Sequence, residues 1–124
     1  MTQEEKNLLL QDLCSRLPYG VIIEHEGTLS KLDTIFMCDS ISISSTSMDN
    51  ELSYNLDLDE VKPYLYPMSS MSDEQYKEYC ELEHSGDMEH LSIPLLDWCN
   101  KNHFDYRGLI PMGLALDATN LNIY

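Results

Sequence analysis

The feature that most constrains this chain is a change of hydrophobic period along its length. Leu9, Leu10, Leu13 and Leu17 recur at the spacing of one helix face, whereas from Val21 to Leu56 apolar residues alternate with polar ones or stand in short blocks. A helical period that gives way to a period of two, and returns after Ser72, requires separate helical and sheet regions. The order is helix, strands, helices, which is an α+β arrangement.

The first helix spans residues 2–17, with Thr2 as N-cap, Glu5 at the capping-box position and Pro18 ending it. Residues 21–23 and 28–32 read as a hairpin around Glu26-Gly27, and residues 34–38 extend its second strand. Ser40-Ile41-Ser42-Ile43-Ser44 has the alternation of a half-buried strand, with Ile41 and Ile43 toward the core. After a turn at 45–50, residues 51–56 form a fourth strand. Residues 57–62 suggest a short helical turn, and Pro63-Tyr64-Leu65-Tyr66-Pro67 a connector on the sheet edge, because each proline biases its predecessor toward extended geometry.

Ser72 caps a second helix that runs to Glu83, with Gln75 completing the box. Residues 84–87 make a loop, and Ser92 caps a third helix reaching Asn100. The tail from His103 is apolar but punctuated by Gly108, Pro111 and Gly113, so it should wrap back onto the core. The expected fold is an N-terminal helix, an antiparallel sheet of about four strands that could curl into a small barrel, two helices and an irregular C-terminal tail, in one domain over 1–124.

Charge then bears on function. Asp and Glu number 22 against seven Lys and Arg, for a net charge of −15. Such a surface repels phosphate backbones and anionic lipid, so neither direct nucleic-acid binding nor membrane binding is expected. No apolar run approaches the roughly 18 residues of a membrane span, and the first residues do not resemble a leader, so the expected location is cytoplasmic. Cys14, Cys38, Cys80 and Cys99 are widely spaced, without a Cys-x-x-Cys pair, and are expected as free thiols.

The acidity peaks in two stretches. Residues 49–60 hold Asp49, Glu51, Asp57, Asp59 and Glu60 with no base; residues 73–89 hold seven acids, among them Asp73, Glu74, Glu78, Glu81 and Glu83, against Lys77 alone. Tyr64 and Tyr66 fall between them, and tyrosine is favoured at protein interfaces. Together these residues are the candidate binding surface for a basic protein. Solubility alone is the plainer account of the same charge.

Two segments, residues 61–71 and 97–110, with Leu17-Pro18-Tyr19-Gly20-Val21, resemble a family of small proteins frequent in gut Bacteroidetes and their phages. No activity or catalytic residue is assigned to that family, so the resemblance implies a setting, a phage, prophage or other mobile element, and the host cytoplasm as location.

Residues able to carry chemistry are sparse. Cys80 with His84 and Cys99 with His103 are four apart, so two helical pairs could in principle close a zinc site, although the spacing is not that of a zinc finger. Glu83, His84, Asp87, Glu89 and His90 crowd one loop without the ordered pattern of a calcium site. His103 and Asp105 could be drawn into a triad with a serine, but the sequence shows no nucleophile elbow, phosphate loop or dinucleotide fingerprint. No cofactor and no catalytic residue is therefore expected. The reading that follows is an acidic protein-interaction module, in a phage setting an inhibitor that mimics nucleic-acid charge. A small metal-assisted or acid–base enzyme using His84, His90 and His103, and a structural or assembly component, are the alternatives.

Overall fold

The computed structural model describes residues 1–37, 39–84 and 93–124, without the side chain of His84. Helix α1 (Gln3–Arg16) begins as its cap dictates: Thr2 is extended, and its Oγ1 accepts the Glu5 amide proton at 3.1 Å. A 3₁₀ turn, Leu17–Tyr19, closes on left-handed Gly20, where a Cβ would approach the Lys31 side chain to 3.2 Å.

Strands β1 (Ile22–His25) and β2 (Thr28–Met37) pair as the expected hairpin. Glu26 and Gly27 both take positive φ, the conformation of a two-residue turn whose twist suits the strands. Strand β3 (Ile41–Ser47) runs past the expected end at Ser44, so the turn before β4 (Leu52–Leu56) is shorter than the composition of 45–50 suggests. The β2–β3 and β3–β4 pairings each carry a bulge, the first between Leu32 and Thr34 and the second at Tyr54-Asn55 opposite Ser44, where Asn55 takes a φ of 54°.

The largest departure concerns residues 62–65. They form strand β5 (Lys62–Leu65), which pairs antiparallel with β1 and parallel with β6 (Leu116–Asp117). The sheet has six strands, in the order β4-β3-β2-β1-β5-β6, it is mixed, and it is not closed into a barrel. Pro63 is compatible with this because β6 pairs only Tyr64 and Leu65, so on that side the strand is an edge at Pro63. The tail does return to the core, and it does so as a strand.

Helix α2 (Asp73–His84) starts with the complete capping box: the Ser72 amide donates to Gln75 Oε1 at 2.9 Å, and the Gln75 amide donates to Ser72 Oγ at 3.2 Å. Helix α3 is Ile93–Lys101. The expected cap at Ser92 and the loop at 85–87 lie outside the described residues, as do His90 and Cys38.

Two apolar clusters hold these elements. Leu9 and Leu13 of α1 pack on the inner sheet face, against Ile23, Leu32, Ile43 and Leu65, and are closed over by Leu109, Leu114 and Ala115 of the tail. Leu95, Cys99 and Phe104 form the second cluster, with Tyr66, Tyr79, Leu82 and Trp98 against it. The N-terminal helix, the sheet and the two later helices give the α+β class.

Candidate functional site

The ten carboxylates Asp49, Glu51, Asp57, Asp59, Glu60, Asp73, Glu74, Glu78, Glu81 and Glu83 are all solvent-exposed. Among the described residues, two of them lie within salt-bridge range of a basic group: Asp59 with Lys6 at 3.8 Å and Glu60 with His25 at 3.7 Å. The first stretch belongs to the β4 edge and to the 3₁₀ turn Leu58–Glu60; the second lies on α2, which follows β5 near the other end of the strand order. The fold thus gives two acidic zones rather than one.

Each zone has its own geometry. Asp57 and Asp59 line a hollow of about 300 Å³ with Lys6, Ser40, Ile41 and Leu58, so two carboxylates stand beside two apolar side chains. On α2 Gln75, Tyr79, Cys80 and Leu82 are half-buried, and Glu74, Glu78 and Glu81 form one exposed stripe along the helix flank at helical spacing. Glu78 accepts the Trp98 indole proton at 3.0 Å, tying the stripe to α3. Tyr64 and Tyr66 are both half-buried; Tyr66 packs edge-on to Tyr124 and tilted to Phe104.

A buried polar hub lies behind this surface, and the sequence reading passed over it. Asp12 and Arg16 are fully buried on the same face of α1 as Leu9 and Leu13. Arg16 Nε donates to Asp12 Oδ2 and Arg107 Nη1 to Asp12 Oδ1, each at 2.9 Å. Arg16 Nη2 donates to the Phe104 carbonyl at 2.6 Å, and both guanidinium groups stack over the Tyr106 ring. Tyr106 in turn donates to Asn100 Oδ1 at 3.0 Å. The available signal was an Asp-x₃-Arg pair inside the leucine stripe, together with a lone arginine in an apolar tail. Because two arginines share one carboxylate, the rest of the molecule is one unit more negative than the total of −15.

The candidate chemical groups are not assembled. Helix α3 ends in a Schellman motif: His103 takes a φ of 62°, its amide donates to the Asn100 carbonyl, and the Phe104 amide donates to the Cys99 carbonyl. His103 therefore leaves the helix axis, and the four-residue spacing from Cys99 no longer implies a shared face. The imidazole is buried and stacks on Tyr124 at 3.6 Å, and its Nδ1 has no hydrogen-bond partner among the described residues. Burial, with Arg16 close by, lowers its pKa to about 4. Burial also pushes the Cys99 thiol up to about 11.

Asp105 spends both carboxylate oxygens on the Leu109 and Ile110 amides, so no His103–Asp105 triad forms. Among the described residues no three His, Cys, Asp or Glu side chains gather as metal ligands. Cys14, Cys80 and Cys99 are free thiols. No helix among the described residues is long and apolar enough to cross a membrane. The Tyr124 hydroxyl accepts the Ile22 amide proton at 2.8 Å and donates to the Tyr64 carbonyl at 2.7 Å, pinning the tail between β1 and β5. Burial raises the pKa of that phenol. The chain matches no family model, no curated protein and no solved structure.

Proposed function

We propose that this protein is an acidic interaction module that binds a basic protein, in the concrete form of an inhibitor occupying a nucleic-acid-binding groove. One observation supports it above the others: ten carboxylates stand exposed in two zones, while both arginines are engaged by the buried Asp12. Exposed charge of one sign steers an oppositely charged partner and weakens with salt.

The two zones suit two kinds of contact. The hollow between Asp57 and Asp59 offers apolar walls for the stem of a partner's Lys or Arg and carboxylates for its head, with Lys6 as the cation to be displaced. On α2, Glu74, Glu78 and Glu81 spread three charges over about 10 Å of helix axis. That is about 5 Å per charge along the axis, wider than the roughly 3.4 Å per phosphate of one nucleic-acid strand. The resemblance to phage-associated proteins makes a host defence or replication protein the intended class of partner.

Affinity capture from host lysate provides the test. The expected result is retention of a cationic nucleic-acid-binding protein, its release by moderate salt, its displacement by duplex DNA, and its loss from a D57K/D59K or an E74K/E78K/E81K variant. Retention indifferent to ionic strength, or unaltered in both variants, overturns the reading.

A further inference from the structure

A second hollow, of about 220 Å³, shares no residue with the acidic one and is lined by Tyr66, Ser70, Gln75, Phe104, Thr119 and Asn120. None of these residues is charged. Phe104 is buried and stacks on Trp98 with ring centroids 5.4 Å apart, and half-buried Tyr66 leans on it at 6.2 Å, so the hollow has an aromatic floor. The wall carrying Thr119 and Asn120 is anchored on both sides: the Ala118 amide donates to the Leu65 carbonyl at 2.8 Å, and Tyr124 is held between β1 and β5.

The polar groups around this floor are fixed by bonds that leave part of their capacity unused. Gln75 Oε1 is taken by the Ser72 amide, and among the described residues its Nε2, the Tyr66 hydroxyl and the Asn120 side chain have no hydrogen-bond partner. Ser70 Oγ gives its proton to the Pro67 carbonyl and Thr119 Oγ1 gives its own to Asp117 Oδ1, so both oxygens remain as acceptors. A hydrocarbon ligand would leave these donors and acceptors unpaired. An anion is opposed by the net charge of −15, and a cation finds no carboxylate lining this hollow. The volume is below the roughly 300–1,000 Å³ of drug-sized sites, which leaves room for one ring.

We infer that this hollow is a binding site for a neutral sugar, a single pyranose ring that lays its C–H face on the aromatic floor and turns its hydroxyls to Tyr66, Gln75 and Asn120 and to the oxygens of Ser70 and Thr119. A sugar hydroxyl both donates and accepts and rotates to suit, so it can answer the free donors and the proton-spent oxygens alike. Thr119 and Asn120 are exposed, so the ring is only part-enclosed and its affinity lies in the millimolar range. The site does not depend on the acidic zones, and its success or failure leaves the binding of a basic protein untouched.

Amide NMR titration with the methyl glycosides of glucose, galactose, mannose and N-acetylglucosamine, each to tens of millimolar, tests it, with uridine as a neutral nucleoside probe. The expected result is a saturable shift, for at least one glycoside, confined to the neighbourhood of residues 66, 70, 75, 119 and 120, indifferent to added salt and retained in D57K/D59K. Gln75→Glu keeps the oxygen that caps Ser72 and removes only the two amide donors, and Tyr66→Phe keeps the ring, so both variants should fold. Each should weaken binding about fivefold, the net worth of one hydrogen bond. No saturable shift with any glycoside, binding of uridine alone, or full affinity in both variants overturns the inference.

Discussion

Asp12 is the side chain on which most others depend. Its two oxygens each take one arginine, with no exposed surface on Asp12 or Arg16, so replacing it leaves two cations facing each other in the interior. Removing one partner of a buried ion pair costs about 3–5 kcal/mol. Asp12→Ala should therefore lower the denaturant midpoint by that equivalent, and Asp12→Asn, which keeps the shape, should recover only part. His103 adds a pH dependence of known sign. Its pKa falls from 6.5 to about 4 on folding, so the unfolded chain binds the proton first and stability declines as pH drops through that window. A fall of that size corresponds to about 3 kcal/mol as an upper bound. His103→Gln should flatten the stability profile between pH 6.5 and 4 relative to wild type in urea titrations, and an unchanged slope would show that His103 is not the titrating group.

Among the elements, those with local chemical signatures were legible and those defined by distant partners were not. The Thr2 and Ser72 caps and the Glu26-Gly27 turn depend on neighbours within a few residues, and each stands where the sequence set it. Ser72→Ala should cost about 1 kcal/mol of stability, read as a shift in thermal midpoint with α2 otherwise intact. Strand β5 was invisible because its partners, β1 and β6, lie about 40 and 50 residues away, while two prolines argue locally against a strand. The end of α3 falls within one residue of the expected Asn100, and His103 beyond it takes a left-handed conformation, usually a role for glycine, that removes it from the helical spacing with Cys99. Of the candidate site, exposure of the acids followed from their charge. Their separation into two zones did not, because it depends on a strand order that no local pattern encodes.

At the scale of the molecule, an excess of negative charge must be held together by its core. With both arginines engaged by Asp12, repulsion among exposed carboxylates opposes folding, and mobile ions screen it over about 10 Å at 0.1 M. Thermal stability should therefore rise between 10 mM and 500 mM NaCl, measured by circular dichroism. A midpoint insensitive to salt would mean that the acids are spaced too widely to interact, and would also weaken the case for a steering surface. The same hub has a consequence for how the molecule comes into being. Arg16 Nη2 reaches the Phe104 carbonyl and Asp12 reaches Arg107, links that span 88 and 95 residues. During synthesis α1 emerges before the sheet and the tail, yet the groups that neutralise and seat its polar residues are made much later. Until they arrive, its leucine face has only the sheet to lean on, and Asp12 and Arg16 keep their water. The helix should thus become rigid after the sheet although it is translated before it, and nascent chains stalled before Phe104 should leave it open to proteolysis.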